Sequence, residues 1–157
     1  MLEPSQPVKA HQDDSAAAQL APPSGAPRLL AIDDDNLHRM IICRVAAKAG
    51  YAPAGAATYD EAAKLAQQVA FDCITLDLSL GPHIGAELLR HFCALGCKAP
   101  IIVITGTDSV TCNETVKLGK SLNLNITQSM SKPVDLTVLR YWLERLKAQR
   151  ETAVVAS

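Results

Sequence analysis

From Arg28 onward, short apolar runs alternate with amphipathic stretches, a pattern that predicts five strands and five helices. Arg28–Ile32 is a brief apolar run ending in acids, as expected of a strand buried on both faces. Asn36–Ala49 repeats Leu37, Ile41, Val45 and Ala49 at helical spacing, and Gly50 supplies its stop. Tyr51–Ala56 reads as a weaker strand. Tyr59–Val69 reads as a helix capped by Thr58 or Asp60. Then follow a strand at Phe71–Leu76, a helix at Ile84–Leu95 stopped by Gly96, and a β-branched strand at Ile101–Thr105. Val110–Leu122 is a helix and Ile126–Met130 a short strand. Asp135–Lys147 closes the pattern, a helix with Leu136, Leu139, Leu143 and Leu146 on one face. Regular alternation of this kind is the mark of an α/β protein with a parallel sheet covered by helices on both sides. Right-handed crossovers narrow the topology to a few doubly wound forms.

The pattern fails before Arg28. Residues 1–27 hold five of the nine prolines and six alanines, and Val8 and Leu20 are the only large aliphatic residues after Leu2. Such a stretch cannot bury enough apolar surface to offset its ordering entropy, so it reads as a loosely attached tail. Residues 28–150 then form one domain, and residues 151–157 a frayed end.

Composition removes several functions. Fifteen basic residues against sixteen acidic ones, a net charge of −1, argue against a nucleic-acid binder. No apolar run nears the roughly 20 residues that span a bilayer. Pro4, Pro7, Asp13 and Asp14 occupy the place of a signal-peptide core. Five scattered cysteines without a CxxC pair argue against a disulfide framework or zinc site and for the reducing cytosol.

In doubly wound sheets the site lies at the carboxyl ends of the strands. There the chain places Asp33, Asp34 and Asp35 after the first strand, Asp77 at the end of the third, Thr105 and Gly106 at the fourth, and Lys132 and Pro133 at the fifth. Taken singly, each has a plainer role: one of the three aspartates as a helix cap, Asp77 as a turn residue, Lys132 as a solvated charge. Taken together they converge on one edge of the sheet. Clustered carboxylates repel one another unless a cation joins them, and Mg²⁺ favours carboxylate, phosphate and water oxygens. A lysine and a hydroxyl suit phosphoryl oxygens, so the set fits phosphoryl transfer.

These segments resemble the receiver domain of bacterial two-component response regulators over about Arg28 to Lys147. RLLAIDDDN looks like the family's first strand and acid pair, FDCITLDLSLGPHIGAELL its phospho-acceptor strand and loop, VITGT its hydroxyl strand, and SKP its lysine–proline signature. The resemblance implies a flavodoxin-like five-stranded sheet of order 2-1-3-4-5 with five helices. It implies Asp77 as the phospho-acceptor, with Thr105 and Lys132 contacting the phosphoryl group and a cis Lys132–Pro133 bond. It implies Mg²⁺ held by Asp33, Asp34, Asp77 and the backbone carbonyl of Ser79, with Asp34 the more direct ligand of the acid pair. A sensor histidine kinase or histidine phosphotransfer protein would be the donor, and no independent turnover enzyme is expected. Nothing in the chain reads as an output domain, so the signal would pass to a downstream protein or along a phosphorelay. A homodimer through the last two helices is compatible with this.

The chain departs from the family pattern in places. Ser129 stands three residues before the lysine, where the family carries an aromatic. The loop after Asp77 runs Leu80, Gly81, Pro82, His83, Ile84, Gly85, its proline one place late. Between Thr105 and Lys132 lie 26 residues, several more than in common members, as in receivers attached to cyclic-diguanylate phosphodiesterase domains. Tyr141 and Trp142 offer a partner contact or, more simply, partial burial. Two rival readings remain: a haloacid-dehalogenase-like phosphatase with Asp33 as nucleophile, and a pseudo-receiver that binds without being phosphorylated.

Overall fold

A computed structural model describes residues 25–106 and 109–156. Its strands are β1 (Arg28–Ile32), β2 (Ala52–Ala56), β3 (Cys73–Asp77), β4 (Ile101–Thr105) and β5 (Ile126–Ser131). Its helices are α1 (Asn36–Lys48), α2 (Tyr59–Gln68), α3 (Pro82–Ala94), α4 (Ser109–Ser121) and α5 (Leu136–Val155), with a 3₁₀ turn at Leu78–Leu80. All strand pairs are parallel, in the order β2-β1-β3-β4-β5. The tail expected over residues 1–27 lies outside the described residues except for 25–27.

Because side chains alternate along a strand, the sheet has two apolar faces. Leu30, Ile32, Ile74, Leu76, Ile101 and Val103 pack with Ala62, Leu88, Leu89, Phe92 and Cys112 of α2, α3 and α4. Leu29, Ala31, Cys73, Ile102 and Ile104 pack with Ile42, Val45, Ala46, Leu139, Leu143 and Leu146 of α1 and α5. Helix on both faces is why β1, β3 and β4 are almost wholly apolar. The five cysteines are free thiols. Burial pushes the Cys73 thiol up to about 12, which keeps it neutral and inert at physiological pH. Among the described residues no helix is long and apolar enough to cross a membrane.

Local signals set the element ends. Thr58 caps α2 by accepting from the Glu61 amide, and Asp135 caps α5 by accepting from the Thr137 and Val138 amides. Helices α1 and α3 end alike. Gly50 and Gly96 take positive φ, and the amides of Tyr51 and Cys97 reach back to the Ala46 and Phe92 carbonyls. Asn123, with φ of 58°, does the same for α4.

Several expectations about the helices need correction. Helix α3 starts at Pro82 rather than Ile84, since proline is well suited to a first helical position. The buried face of α1 is Ile42, Val45, Ala46 and Ala49, and Leu37 is exposed, because α1 begins beside solvent above the strand ends. Leu136, at the start of α5, is likewise exposed. Helix α5 runs to Val155, eight residues past Lys147, its added turns exposed but tied by the Lys147–Glu151 pair at 3.8 Å. Part of the extra length before Lys132 is a bulge: Ile101 and Ile102 pair with Ile126 and Gln128, leaving Thr127 over.

Asp72 joins three elements at the amino ends of the strands. Its amide donates to the Arg28 carbonyl, and its carboxylate accepts from the Arg28 amide at 2.7 Å and from Arg150 Nε of α5 at 2.8 Å.

Candidate functional site

The opposite, carboxyl edge gathers the charged residues. Strands β1 and β3 are neighbours in the sheet, so their ends bring Asp33 and Asp77 side by side, both essentially without solvent access. Asp35 is the residue that caps α1, accepting from the His38 amide at 2.9 Å, so the helix-cap role falls to it and not to Asp33 or Asp34. Asp33 Oδ1 accepts from the Asp35 amide at 2.9 Å, and Arg39 Nη1 donates to the Asp33 carbonyl at 2.8 Å. Asp77 Oδ1 accepts from the Ser79 amide at 2.8 Å, which fixes the carboxylate against the 3₁₀ turn. Asp34 stands in solvent at the rim, where its Oδ1 accepts from Ser79 Oγ at 3.2 Å.

Thr105 is buried at the end of β4, and the Lys132 amide donates to its carbonyl at 2.9 Å. The Lys132 ammonium touches Asp77 Oδ2 and lies 3.9 Å from Asp33 Oδ2. The Lys132–Pro133 bond is cis. Beside Thr105 a hollow of about 250 Å³ is lined by Ser109, Cys112, Asn113, Ser129 and Met130. Serine at 129 leaves room there that a larger side chain would fill.

One side chain at this edge was not foreseen. His38, in the first turn of α1, puts Nδ1 against Asp33 Oδ2 and 4.0 Å from Asp77 Oδ2. Ligand atoms of Asp33, His38 and Asp77 all lie within 4.8 Å of one another. The available signal was indirect: once Asp35 is the cap, the residue three places on points back over the strand ends. His83, by contrast, is exposed.

The electrostatics follow from burial. Burial pushes the Asp33 carboxyl up and the Asp77 charge adds to this, against the lowering effect of His38 and the Asp35 amide. Burial also raises Asp77, but the Lys132 ammonium and the Ser79 amide outweigh it and hold that carboxyl below the usual range. Burial disfavours the Lys132 charge, yet contact with Asp77 and the charges of Asp33 and Asp34 raise its pKa.

A carboxyl whose folded pKa exceeds its unfolded value costs stability at neutral pH, and the cost fades as pH falls through the raised value. Asp33→Asn will therefore stabilise the cation-free protein at pH 7. Urea melts in chelator at pH 7 and pH 4 check this: the gain shrinks at the lower pH, and a loss at pH 7 refutes it.

Such a site, on such a sheet, defines a class of phosphoryl-accepting signalling domains. The family model for the response regulator receiver domain matches residues 29–144. The chain belongs to that family. A response regulator from Colwellia psychrerythraea superposes with a TM-score of 0.68 at 23% identity, over 79% of this chain and 98% of its own. A CheY-like receiver domain protein from Methanospirillum hungatei gives 0.64 at 27% identity, over 81% and 98%. A response regulator from Burkholderia pseudomallei, with a phosphorylated aspartic acid, calcium ion and citrate, gives 0.58 at 26% identity, over 81% and 72%. No curated protein matches. Membership sets aside the haloacid-dehalogenase reading, in which Asp33 would be the nucleophile.

Proposed function

We propose that this receiver takes one phosphoryl group onto Asp77 from the phosphohistidine of a sensor kinase or histidine phosphotransfer protein, with Mg²⁺ or a similar dication, and signals to a partner protein. The observation that carries this reading is the Asp77 carboxylate itself: buried at the end of a central strand, in contact with an ammonium, beside a second buried acid. The Burkholderia neighbour, phosphorylated on aspartate with a calcium ion, supports it by likeness.

The donor set fits a hard cation, because two adjacent buried carboxylates share one ammonium and retain net negative charge. Asp33, Asp34, Asp77 and the Ser79 carbonyl are the residues that would hold it. When bound, the dication neutralises charge on the phosphoryl oxygens. An Asp77 carboxylate oxygen attacks phosphorus, the phosphorus–nitrogen bond breaks, and the departing imidazole takes up a proton from solvent. Lys132 moves from the carboxylate to a phosphoryl oxygen, and the Thr105 hydroxyl donates to another. A group of charge near −2 replaces a carboxylate, so the buried edge gains about one negative charge. That change biases Thr105 and the segment towards Ser129 between two arrangements.

Incubation with acetyl phosphate and Mg²⁺ will add one phosphoryl group to the intact mass, removable by hydroxylamine. Absence of the added mass would overturn the reading in favour of a binding module that is not phosphorylated.

A further inference from the structure

We propose that His38 gives this receiver's cation site a nitrogen donor, so that it selects a first-row transition dication (Mn²⁺, Co²⁺, Ni²⁺ or Zn²⁺) more strongly than Mg²⁺. The inference deepens the proposed function, since it rests on that site holding a cation.

Three observations carry it. Asp33 Oδ2, His38 Nδ1 and Asp77 Oδ2 face a common point, with the histidine nitrogen on one carboxylate and 4.0 Å from the other. A metal about 2.1 Å from each of two donors accepts donor separations from about 3 Å to just over 4 Å; the histidine nitrogen and Asp77 Oδ2 stand in that range, and the imidazole, paired with Asp33 Oδ2 in the cation-free protein, turns off that oxygen to share the ion. Asp77 Oδ2 is buried and makes no hydrogen bond of good geometry, leaving a lone pair for a cation beside the Lys132 contact. The histidine is also held in place. Its amide donates to the Asp35 cap, and its side chain, four-fifths covered, lies back over the strand ends.

The chemistry then sets the selectivity. Mg²⁺ takes oxygen ligands in near-ideal octahedral geometry and has little use for an imidazole at this distance. Transition dications bind imidazole well and follow the Irving–Williams order on mixed nitrogen–oxygen sites. An imidazole beside the buried carboxylates therefore adds more to the binding of these ions than to that of Mg²⁺.

The test is cation binding by the unphosphorylated chain, read without any reaction. Equilibrium dialysis with Mn²⁺, Zn²⁺ and Mg²⁺ is run on the wild type, His38→Ala and His83→Ala. His38→Ala is expected to weaken Mn²⁺ and Zn²⁺ binding about tenfold or more, with Mg²⁺ affinity held or improved. His83→Ala, at an exposed loop histidine, is expected to leave all three unchanged. Pulsed electron paramagnetic resonance of wild-type protein loaded with Mn²⁺ adds a readout that needs no variant, and should show coupling to an imidazole nitrogen. Equal weakening of all ions in His38→Ala, or no nitrogen coupling, overturns the selectivity while leaving the cation site standing. No binding of any dication by the wild type overturns both.

Discussion

Asp77→Asn will carry no detectable phosphoryl group after incubation with acetyl phosphate and Mg²⁺, while the wild type gains one. The substitution removes the only carboxylate among the described residues that the Lys132 ammonium touches directly. It keeps the local fold, because an amide oxygen can still accept from the Ser79 amide that Asp77 Oδ1 now engages. Asp33 remains 3.9 Å from the ammonium, so the lysine keeps a counter-charge. Stability should accordingly stay within about 1 kcal/mol of wild type. Intact-mass spectrometry reads the modification and a urea melt reads the fold. Labelling that survives in a folded Asp77→Asn protein would move the nucleophile elsewhere. Loss confined to Asp33→Asn would revive a phosphatase-like role for the first aspartate.

Phe92→Ala should cost about 3–5 kcal/mol, a large share of the roughly 5–15 kcal/mol that holds a domain of this size. Phe92 is the largest of the fully buried side chains, packed in the cluster that contains Leu88, Leu89 and the β3–β4 aliphatics. No part of it reaches solvent, so truncation leaves a cavity walled by the surrounding aliphatic side chains. Denaturation followed by the fluorescence of Trp142, the only tryptophan, measures the loss. Trp142 packs against the core on the opposite face of the sheet, so a coincident midpoint by circular dichroism would mean both faces melt as one unit. A shift below about 1 kcal/mol would contradict the burial.

The legible parts of the fold were those where one physical signal acted alone. β1 and β4 are apolar runs flanked by polar punctuation, and their bounds match residue for residue. β3 shifted by one to two residues. Phe71 is apolar but only half-buried ahead of the ladder, whereas Asp77 lies within it, its backbone register opposite Ile104. Tyr51 read as strand because it is aromatic. Its backbone instead closes α1, and its hydroxyl donates to the Leu143 carbonyl, a contact 92 positions away that no local pattern encodes. The site residues at strand ends were legible because topology alone converges them. His38 was not, since a lone histidine in a first helical turn has the same local pattern as any solvated one. Its meaning depends on Asp35 being the cap, which three consecutive aspartates leave open until the backbone is known.

The Asp72 junction has a counterpart at the other end of the sheet. At the amino ends one anion is shared among donors from β1 and α5, while at the carboxyl ends one cation, the Lys132 ammonium after β5, is shared between the anions that follow β1 and end β3. The same central strands are thus tied at both ends by charge, with the signs of hub and spokes exchanged.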